Sequence, residues 1–248
     1  MVKKIQDIMP AGLESHVWVG AYDEAKAEME KEGFSEIGLA ENARLRIRQG
    51  KDAYVSQNGN WVKEDAIYIP NKGKFLTKVS HISANAKEAT ICHRNGQEFN
   101  LTPEQVEQCL SDSVKLSVKS VPTNRFADDR ITVYAFGEGA KKYGEFLKEA
   151  GIEEMPIYTA DLQVKPFARK VWFRCLGVSS ELVCNDRGLH DDSYGVRGVR
   201  ESAEGAAKNS GGQIKTSNIA EILEYTKRFV PEAVRGEFEK GLAKKLKQ

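Results

Sequence analysis

The chain has 248 residues, of which 40% are hydrophobic and 29% are charged, and its formal net charge is +1. This length and composition predict a soluble globular protein of one or two domains with a proper hydrophobic core. The near-zero charge argues against the large basic surface of a nucleic-acid binder and against attraction to anionic membranes. No apolar run is long enough for a signal peptide or a membrane span, which leaves the localisation open.

The first clear element is a helix predicted over residues 21–32, because Tyr22, Ala25 and Met29 fall on one face and a glycine follows as a stop signal. Residues 41–50 fit two structures. Ala43, Leu45 and Ile47 alternate as in a strand, whereas Leu39, Ala43 and Ile47 fall on one face of a helix.

Turn signals then divide a run of β-prone segments. Three segments predict hairpins: 53–62 with Asn58-Gly59, 66–79 with PNKG, and 89–101 with Asn95-Gly96. A short helix should follow, with Thr102 as N-cap, Pro103 at the first helical position and Gln105 completing a capping box. Residues 1–115 are therefore predicted to form a β-rich region with helical flanks.

The C-terminal half contains a strand-like segment at 114–122 and a clear helix at 138–150. The buried stripe of this helix should be Ala140, Tyr143, Leu147 and Ala150, with Gly151 as its stop. Small polar residues after Glu201 predict a linker, and residues 216–247 predict lysine-rich helices that act as a solvated tail or docking arm. The predicted domains are 1–115, 116–202 and 203–248.

Reactive side chains crowd residues 172–200, WFRCLGVSSELVCNDRGLHDDSYGVRGVR, without a familiar spacing. The serines lack the GxSxG elbow of a serine hydrolase. Cys175, Cys184 and His190 could bind zinc, but they lack the close-paired ligands typical of structural zinc, and unpaired thiols are the simpler interpretation.

The same residues weakly indicate two further kinds of site, a metal site and a phosphate site. His190 and Asp192 could converge on a metal ion, since alternate residues of a strand share a face. Arg197 and Arg200 could meet a phosphate, although an arginine that braces a sheet edge is more common. None of these patterns defines a reaction, and no catalytic residue, metal site or cofactor is predicted.

The composition of residues 174–199 is more informative than its chemistry. The chain has 24 Lys, 25 Glu, 9 Gln, 4 Met and 3 Trp, about a quarter of all residues, yet Glu181 alone represents them in this window. An asparagine codon whose adenines are freely replaced can encode most amino acids but never these five. The other residues of the window are reachable in this way. They alternate with a regular skeleton made of Trp172, Phe173, Leu176, Ser180, Leu182, Leu189, Val196, Arg197 and Val199.

With its Trp-Phe start, this skeleton and its closing VRGVRES, the segment at residues 166–202 resembles the variable region of proteins diversified by retroelements, especially the archaeal and archaeal-virus type. In that family an error-prone reverse transcriptase rewrites adenine positions of the target gene. The resemblance implies an α+β chain. Its C-terminal part would have a C-type lectin fold of the formylglycine-generating-enzyme type, preceded by the β-rich region with short helices.

The resemblance also implies which side chains face the ligand. The expected variable positions are Cys175, Val178, Ser179, Val183, Cys184, Asn185, Asp186, Gly188, His190, Asp191, Ser193 and Tyr194. Glu181 departs from the pattern, because adenine replacement in an asparagine codon cannot produce it. The tripeptides with which sugar-binding C-type lectins hold calcium are absent. The resemblance therefore implies neither calcium nor carbohydrate.

The function that follows is a non-enzymatic, diversified ligand-binding protein displayed on a virion or cell surface. Its partner would be a cell-surface macromolecule, above all a protein; the oligomeric state is open. Two alternatives remain at this point. One is an enzyme on the formylglycine-generating fold that uses Cys175 and Cys184, and the other is a nucleic-acid binder that uses Arg197, Arg200 and the tail lysines.

Overall fold

This computed structural model describes residues 1–6, 13–186 and 188–201 of the chain. These residues contain twelve strands and eight α-helices. The strands are β1 Lys3–Gln6, β2 Leu13–Val19, β3 Ser35–Glu36, β4 Asn60–Ile69, β5 Gly73–Thr77, β6 Phe99–Asn100, β7 Ser113–Lys115, β8 Ser120–Pro122, β9 Glu154–Tyr158, β10 Phe167–Phe173, β11 Leu182–Val183 and β12 Gly195–Glu201. The helices are α1 Tyr22–Lys31, α2 Leu39–Gln49, α3 Tyr54–Gln57, α4 His81–Ala84, α5 Ala86–Arg94, α6 Pro103–Ser111, α7 Arg130–Phe136 and α8 Ala140–Glu149. Short 3-10 segments cover Thr123–Arg125, Gly137–Gly139, Leu176–Val178 and Gly188–His190.

Strands β4 and β10 form the centre of the sheet. The main strand order is β1-β2-β12-β4-β10-β11-β9-β8, and β5 continues from β4 to β7. β4 and β10 are antiparallel, with a register shift between Lys170 and Trp172. β12 pairs with β4 in parallel, and β11 pairs with β9 in parallel. Both central strands are buried over nearly their whole length, including polar side chains such as Asp65 of β4 and Lys170 of β10.

Alternate side chains of the central strands enter two cores, because successive residues of a strand point to opposite faces. Val62, Ala66 and Tyr68 of β4 lie in one core with α2, α7 and α8. Trp61 and Ile67 lie in the other core with α1, α5 and α6. The sheet is therefore the middle layer between two sets of helices.

A buried polar network crosses the second core. Lys170 on β10 is fully buried, and its Nζ lies 3.2 Å from a carboxylate oxygen of Asp65 and 3.6 Å from one of Glu36. The same ammonium donates to the hydroxyls of Ser80 and Ser83. The buried charge is therefore paired and hydrogen-bonded, and it ties β10 to β4, β3 and α4.

The predicted hairpin at 53–62 is wrong. Residues 54–57 form the helical turn α3, and the side-chain amide of Asn58 donates to the carbonyl of Tyr54 at its end. Gly59 allows close packing: a Cβ there would lie 2.6 Å from Nε1 of Trp172. The Asn-Gly pair thus ends a helix and makes room for a ring, and the strand begins only at Asn60.

The predicted hairpin at 89–101 is also wrong, because Ala86–Arg94 is helix α5. Gly96, with φ of +71°, closes it in a Schellman motif: the N–H of Gln97 donates to Cys92 O, and that of Gly96 to His93 O. Arg-Asn-Gly was therefore a helix stop, which the hairpin interpretation confused with a turn.

Other predicted elements are confirmed. PNKG joins β4 to β5 in an antiparallel hairpin, with Ile69 opposite Gly73. Thr102 and Gln105 make the expected capping box at the start of α6. Residues 41–50 take the helical alternative in α2, and α1 and α8 form as predicted.

The single strand predicted at 114–122 is wrong. The range holds two separate strands: β7 pairs with β5, and β8 pairs with β9.

The domain line predicted at residue 115 does not separate two units. Met1–Arg200 forms one compact unit, because β4 from the first predicted domain pairs with β10 from the second. The linker and tail predicted for residues 203–248 lie outside the described residues. In the described part of the chain, no helix has both the length and the apolar character to cross a bilayer.

Candidate ligand-binding surface

Residues 174–194, hereafter the display segment, run from the end of β10 to the start of β12. Apart from the two-residue strand β11 and two 3-10 turns, the described residues of this segment, which exclude position 187, form irregular backbone. Irregular backbone needs hydrogen-bond partners from elsewhere when it packs against a core. The chain supplies these partners both from within the segment and from elements outside it.

Arg46 of α2 holds the first part of the display segment from beneath. Its guanidinium is fully buried and stacks on the Phe173 ring at 3.9 Å. It donates to the Phe173 carbonyl at 3.4 Å and to the Ser180 hydroxyl at 3.1 Å. It also donates to the Tyr143 hydroxyl, which lies 2.7 Å from that of Ser180, and to the Val55 carbonyl. One side chain thus joins α2 and α8 to both ends of the loop 174–180.

The loop also closes on itself. Arg174 N–H donates to Glu181 O, and Ser180 N–H donates to Cys175 O. The Arg174 guanidinium lies 2.8 Å from the carboxylate of Glu181, which is buried, and this contact raises the pKa of Arg174. Ser179 and Ser180 have positive φ angles of 75° and 53°. The loop tip therefore has a backbone conformation that residues other than glycine rarely adopt.

The second part of the display segment is held through its main chain. The Tyr68 hydroxyl donates to the Cys184 carbonyl at 2.6 Å, and Cys184 N–H donates to Tyr158 O at 2.7 Å. Arg169, buried and paired with Glu98, donates to the Asn185 carbonyl. The carbonyl oxygens in these contacts are present in every amino acid, and the N–H is absent only from proline.

Aromatic rings support the end of the segment. Tyr194 packs on Trp172 with ring centroids 4.5 Å apart, and the buried Trp61 lies 5.0 Å from Trp172 and 5.5 Å from Tyr194. The Tyr194 hydroxyl is hydrogen-bonded to Asp186, and its pKa is raised by partial burial and then by this carboxylate. A Cβ at Gly188 would lie 2.5 Å from the Tyr194 ring. Positions 188 and 194 are therefore coupled by contact.

Most of the predicted variable side chains reach the surface. Asn185, His190 and Ser193 are exposed. The half-buried members are Cys175, Ser179, Val183, Asp186, Gly188, Asp191 and Tyr194. The side chain of Val178 lies outside what the structure describes. The contacts above bring Asp186, Gly188 and Tyr194 together, and the sheet register places Val183 beside Trp172.

The prediction that Cys184 is one of the ligand-facing variable positions is wrong. Its side chain is fully buried in the core formed with α2, α7 and α8, so it does not face a ligand. The reason is strand alternation: Val183 points outward from β11, and the flanking Leu182 and Cys184 point inward. Burial raises the pKa of the Cys184 thiol to about 12, so the thiolate is disfavoured. It is therefore poorly placed to form a reactive pair with Cys175.

The metal-ligand patterns considered in the sequence do not form a site in the described residues. All four cysteines are free, and in the described ranges no three His, Cys, Asp or Glu side chains group together to hold an ion. Asp191 instead accepts the N–H and the hydroxyl of Ser193, and these hydrogen bonds lower its pKa.

The two arginines of GVRGVR have structural contacts. Arg197 is buried and donates to the Ser15 hydroxyl at 2.9 Å. Arg200 lies 2.7 Å from the Glu14 carboxylate. Both arginines therefore already have partners in the described part of the chain, which argues against a phosphate site made from them.

Residues that support the segment were missed by the sequence reasoning. No sequence pattern marked these residues as supports, because each lies far along the chain from its hydrogen-bond partner. They are Arg46, Tyr68, Arg169 and Glu98. Tyr143 was placed correctly on the buried stripe of its helix, but its hydroxyl contact could not be foreseen.

No family model and no curated protein matches the chain. The chain is similar to a solved structure described as accommodating massive sequence variation in Nanoarchaeota by the C-type lectin fold. The TM-score is 0.53 at 14% identity, and the match covers 82% of this chain and 98% of that chain. At this identity the likeness establishes the fold alone: the chain is mixed α/β with a C-type lectin fold. Because the match extends well beyond residues 116–202, the fold includes strands from the N-terminal half.

Proposed function

We propose that this chain is a non-enzymatic ligand-binding protein that presents the display segment as a variable surface on its C-type lectin scaffold. We further propose that the scaffold is of the formylglycine-generating-enzyme type and that a retroelement diversifies the segment by rewriting adenines. The ligand is a macromolecule on a cell surface, and we propose that it is a protein.

The observation that carries this proposal is how the segment is anchored. Tyr68 and Arg169 hold the main-chain oxygens of Cys184 and Asn185, and Arg46 holds that of Phe173, the strand residue directly before the segment. Main-chain atoms remain when side chains are exchanged. A surface held in this way can change its outward side chains and keep its backbone path.

The proposed ligand-facing positions are those of the expected set without Cys184. They are Cys175, Val178, Ser179, Val183, Asn185, Asp186, Gly188, His190, Asp191, Ser193 and Tyr194. Ser, Asn, Asp, Gly and Tyr predominate among them, and binding loops favour these types because they combine adaptable hydrogen bonds with aromatic contact. The similar structure from Nanoarchaeota, described as accommodating massive sequence variation, agrees with this use of the fold.

The test is genetic. The neighbourhood of the gene should contain a reverse transcriptase and a near-copy of codons 172–200. We expect the two copies to differ only where the template has adenine. Differences at other bases, or an invariant segment in sister loci, would contradict the proposal.

A further inference from the structure

The register of the three neighbouring strands β10, β11 and β9 places a row of side chains on one face of the sheet. Trp172 of β10 lies opposite Val183 of β11, and Val183 lies beside Tyr158 of β9. The neighbouring row, Phe173, Leu182 and Ile157, points into the core. By strand alternation, Trp172, Val183 and Tyr158 therefore point to the opposite face. We call these three residues the outer row.

The outer row is partly open to solvent. Trp172 and Val183 are half-buried, and Tyr158 has 45% of its surface exposed. Tyr194 extends the row by packing on Trp172. Trp172 and Tyr158 lie outside the positions proposed to vary, whereas Val183 and Tyr194 lie within them. The row thus alternates constant and variable members.

The charge of the surrounding segment is opposite in sign to that of the whole chain. Residues 174–194 contain four carboxylates, Glu181, Asp186, Asp191 and Asp192, and two arginines, Arg174 and Arg187, which gives a net charge of −2. Glu181 is already paired with Arg174. Asp186 contacts Tyr194 at one end of the row. A carboxylate beside a partly exposed aromatic ring favours a cation, through ion pairing and through attraction to the ring.

Resting on the function proposed above, we propose that the outer row with Tyr194 is the docking anchor for a protein partner. For the present sequence, in which the variable positions 186 and 191 carry aspartates, that partner presents Lys or Arg beside apolar side chains. Tyr158 is the constant contact of this anchor. Aromatic side chains at the centre of an interface commonly contribute much of the binding energy at low entropic cost. The exposed Asn185, His190 and Ser193 then select among partners, and the anchor contributes to every complex.

The test uses the whole 248-residue chain displayed as a library with codons 185, 190 and 193 randomised and all other residues retained. Binders are selected against lysozyme, a basic protein, and in parallel against ovalbumin, an acidic one. Each binder is then measured as Y158A and as V133A. Val133 on α7 is a matched control, since it is 43% exposed and belongs to the opposite layer.

We expect binders to lysozyme, and Y158A should weaken them by about tenfold or more while V133A changes little. Unchanged affinity in Y158A would overturn the anchor and leave the proposed binding function standing. If the selection gave binders to ovalbumin as readily as to lysozyme, the proposal that the partner is basic would be overturned. Failure to obtain any folded binder to either target would count against both proposals. Self-association of the parent chain that Y158A abolishes would assign the row to a second copy and overturn the partner named here.

Discussion

The inward and outward side chains of the display segment differ in how much of the fold depends on them. Ser180 and Leu182 are fully buried, and Ser180 is hydrogen-bonded to Arg46 and Tyr143. Asn185 and His190, a few residues further on, are exposed. The contrast teaches that tolerance to sequence change is set residue by residue, by the direction of the side chain and by whether its backbone is anchored elsewhere.

The largest effect is expected on the buried side of this comparison. R46A should reduce the free energy of unfolding by about 3–5 kcal/mol, because the Phe173 and Val55 carbonyls lose a donor and a cavity forms beneath the Phe173 ring. Urea unfolding measures this. R44A is the matched control, since Arg44 is an exposed arginine on the same helix and should change stability by no more than about 0.5 kcal/mol. Equal effects of the two variants would contradict the role given to Arg46.

The free energy of unfolding should also depend on pH, through the buried carboxyl group of Glu64 on β4. Glu64 accepts the N–H of Leu39 at the start of α2, and burial raises its pKa from 4.5 to about 7. Because the folded-state pKa is raised, this contribution is complete below pH 4.5 and is lost as the pH rises through 7. Relative to E64Q, the native chain should lose roughly 3 kcal/mol between pH 4.5 and 8. Parallel pH profiles for the two proteins would rule this out.

A smaller effect separates two adjacent residues. C184N should cost about 1–3 kcal/mol, because the amide would enter an apolar core without a hydrogen-bond partner. N185S should be close to neutral, since that side chain is exposed. Chemical denaturation of both variants measures the difference. If C184N were as stable as N185S, position 184 would belong with the variable surface after all.

The smallest effect is expected for the outward side chains themselves. N185A and H190A should each change the free energy of unfolding by no more than about 0.5 kcal/mol, because both side chains are exposed and Arg169 holds the main chain at Asn185. Thermal melting provides the measurement. A loss above about 1 kcal/mol in either variant would show that stability and display are not separate here.

Local signals predicted local structure well. The stripe of α8, the capping box of α6 and the PNKG hairpin needed only residues close together in the chain. The two Asn-Gly pairs misled because the same dipeptide serves a hairpin and a helix end. The choice depended on what lay around it, such as the Trp172 ring against Gly59.

The domain line failed for the same reason. Nothing near residue 115 shows that β4 will pair with β10, about a hundred residues later. Sheet pairing joins distant segments, and the sequence of one strand does not identify the strand with which it pairs. The Cys184 prediction failed similarly, because a two-residue strand is too short to show in sequence which of its neighbours turn inward.

The amino-acid sequence by itself determined the periodic elements, the near-neutral charge and the unusual residue alphabet of the display segment, since these are properties of neighbours or of composition. Tertiary structure alone decided which side chains meet. Arg46 reaches Ser180 across 134 positions, and Tyr158 joins Trp172 and Val183 only through strand pairing. A contact between distant residues depends on the path of the whole chain, and no local pattern encodes that path.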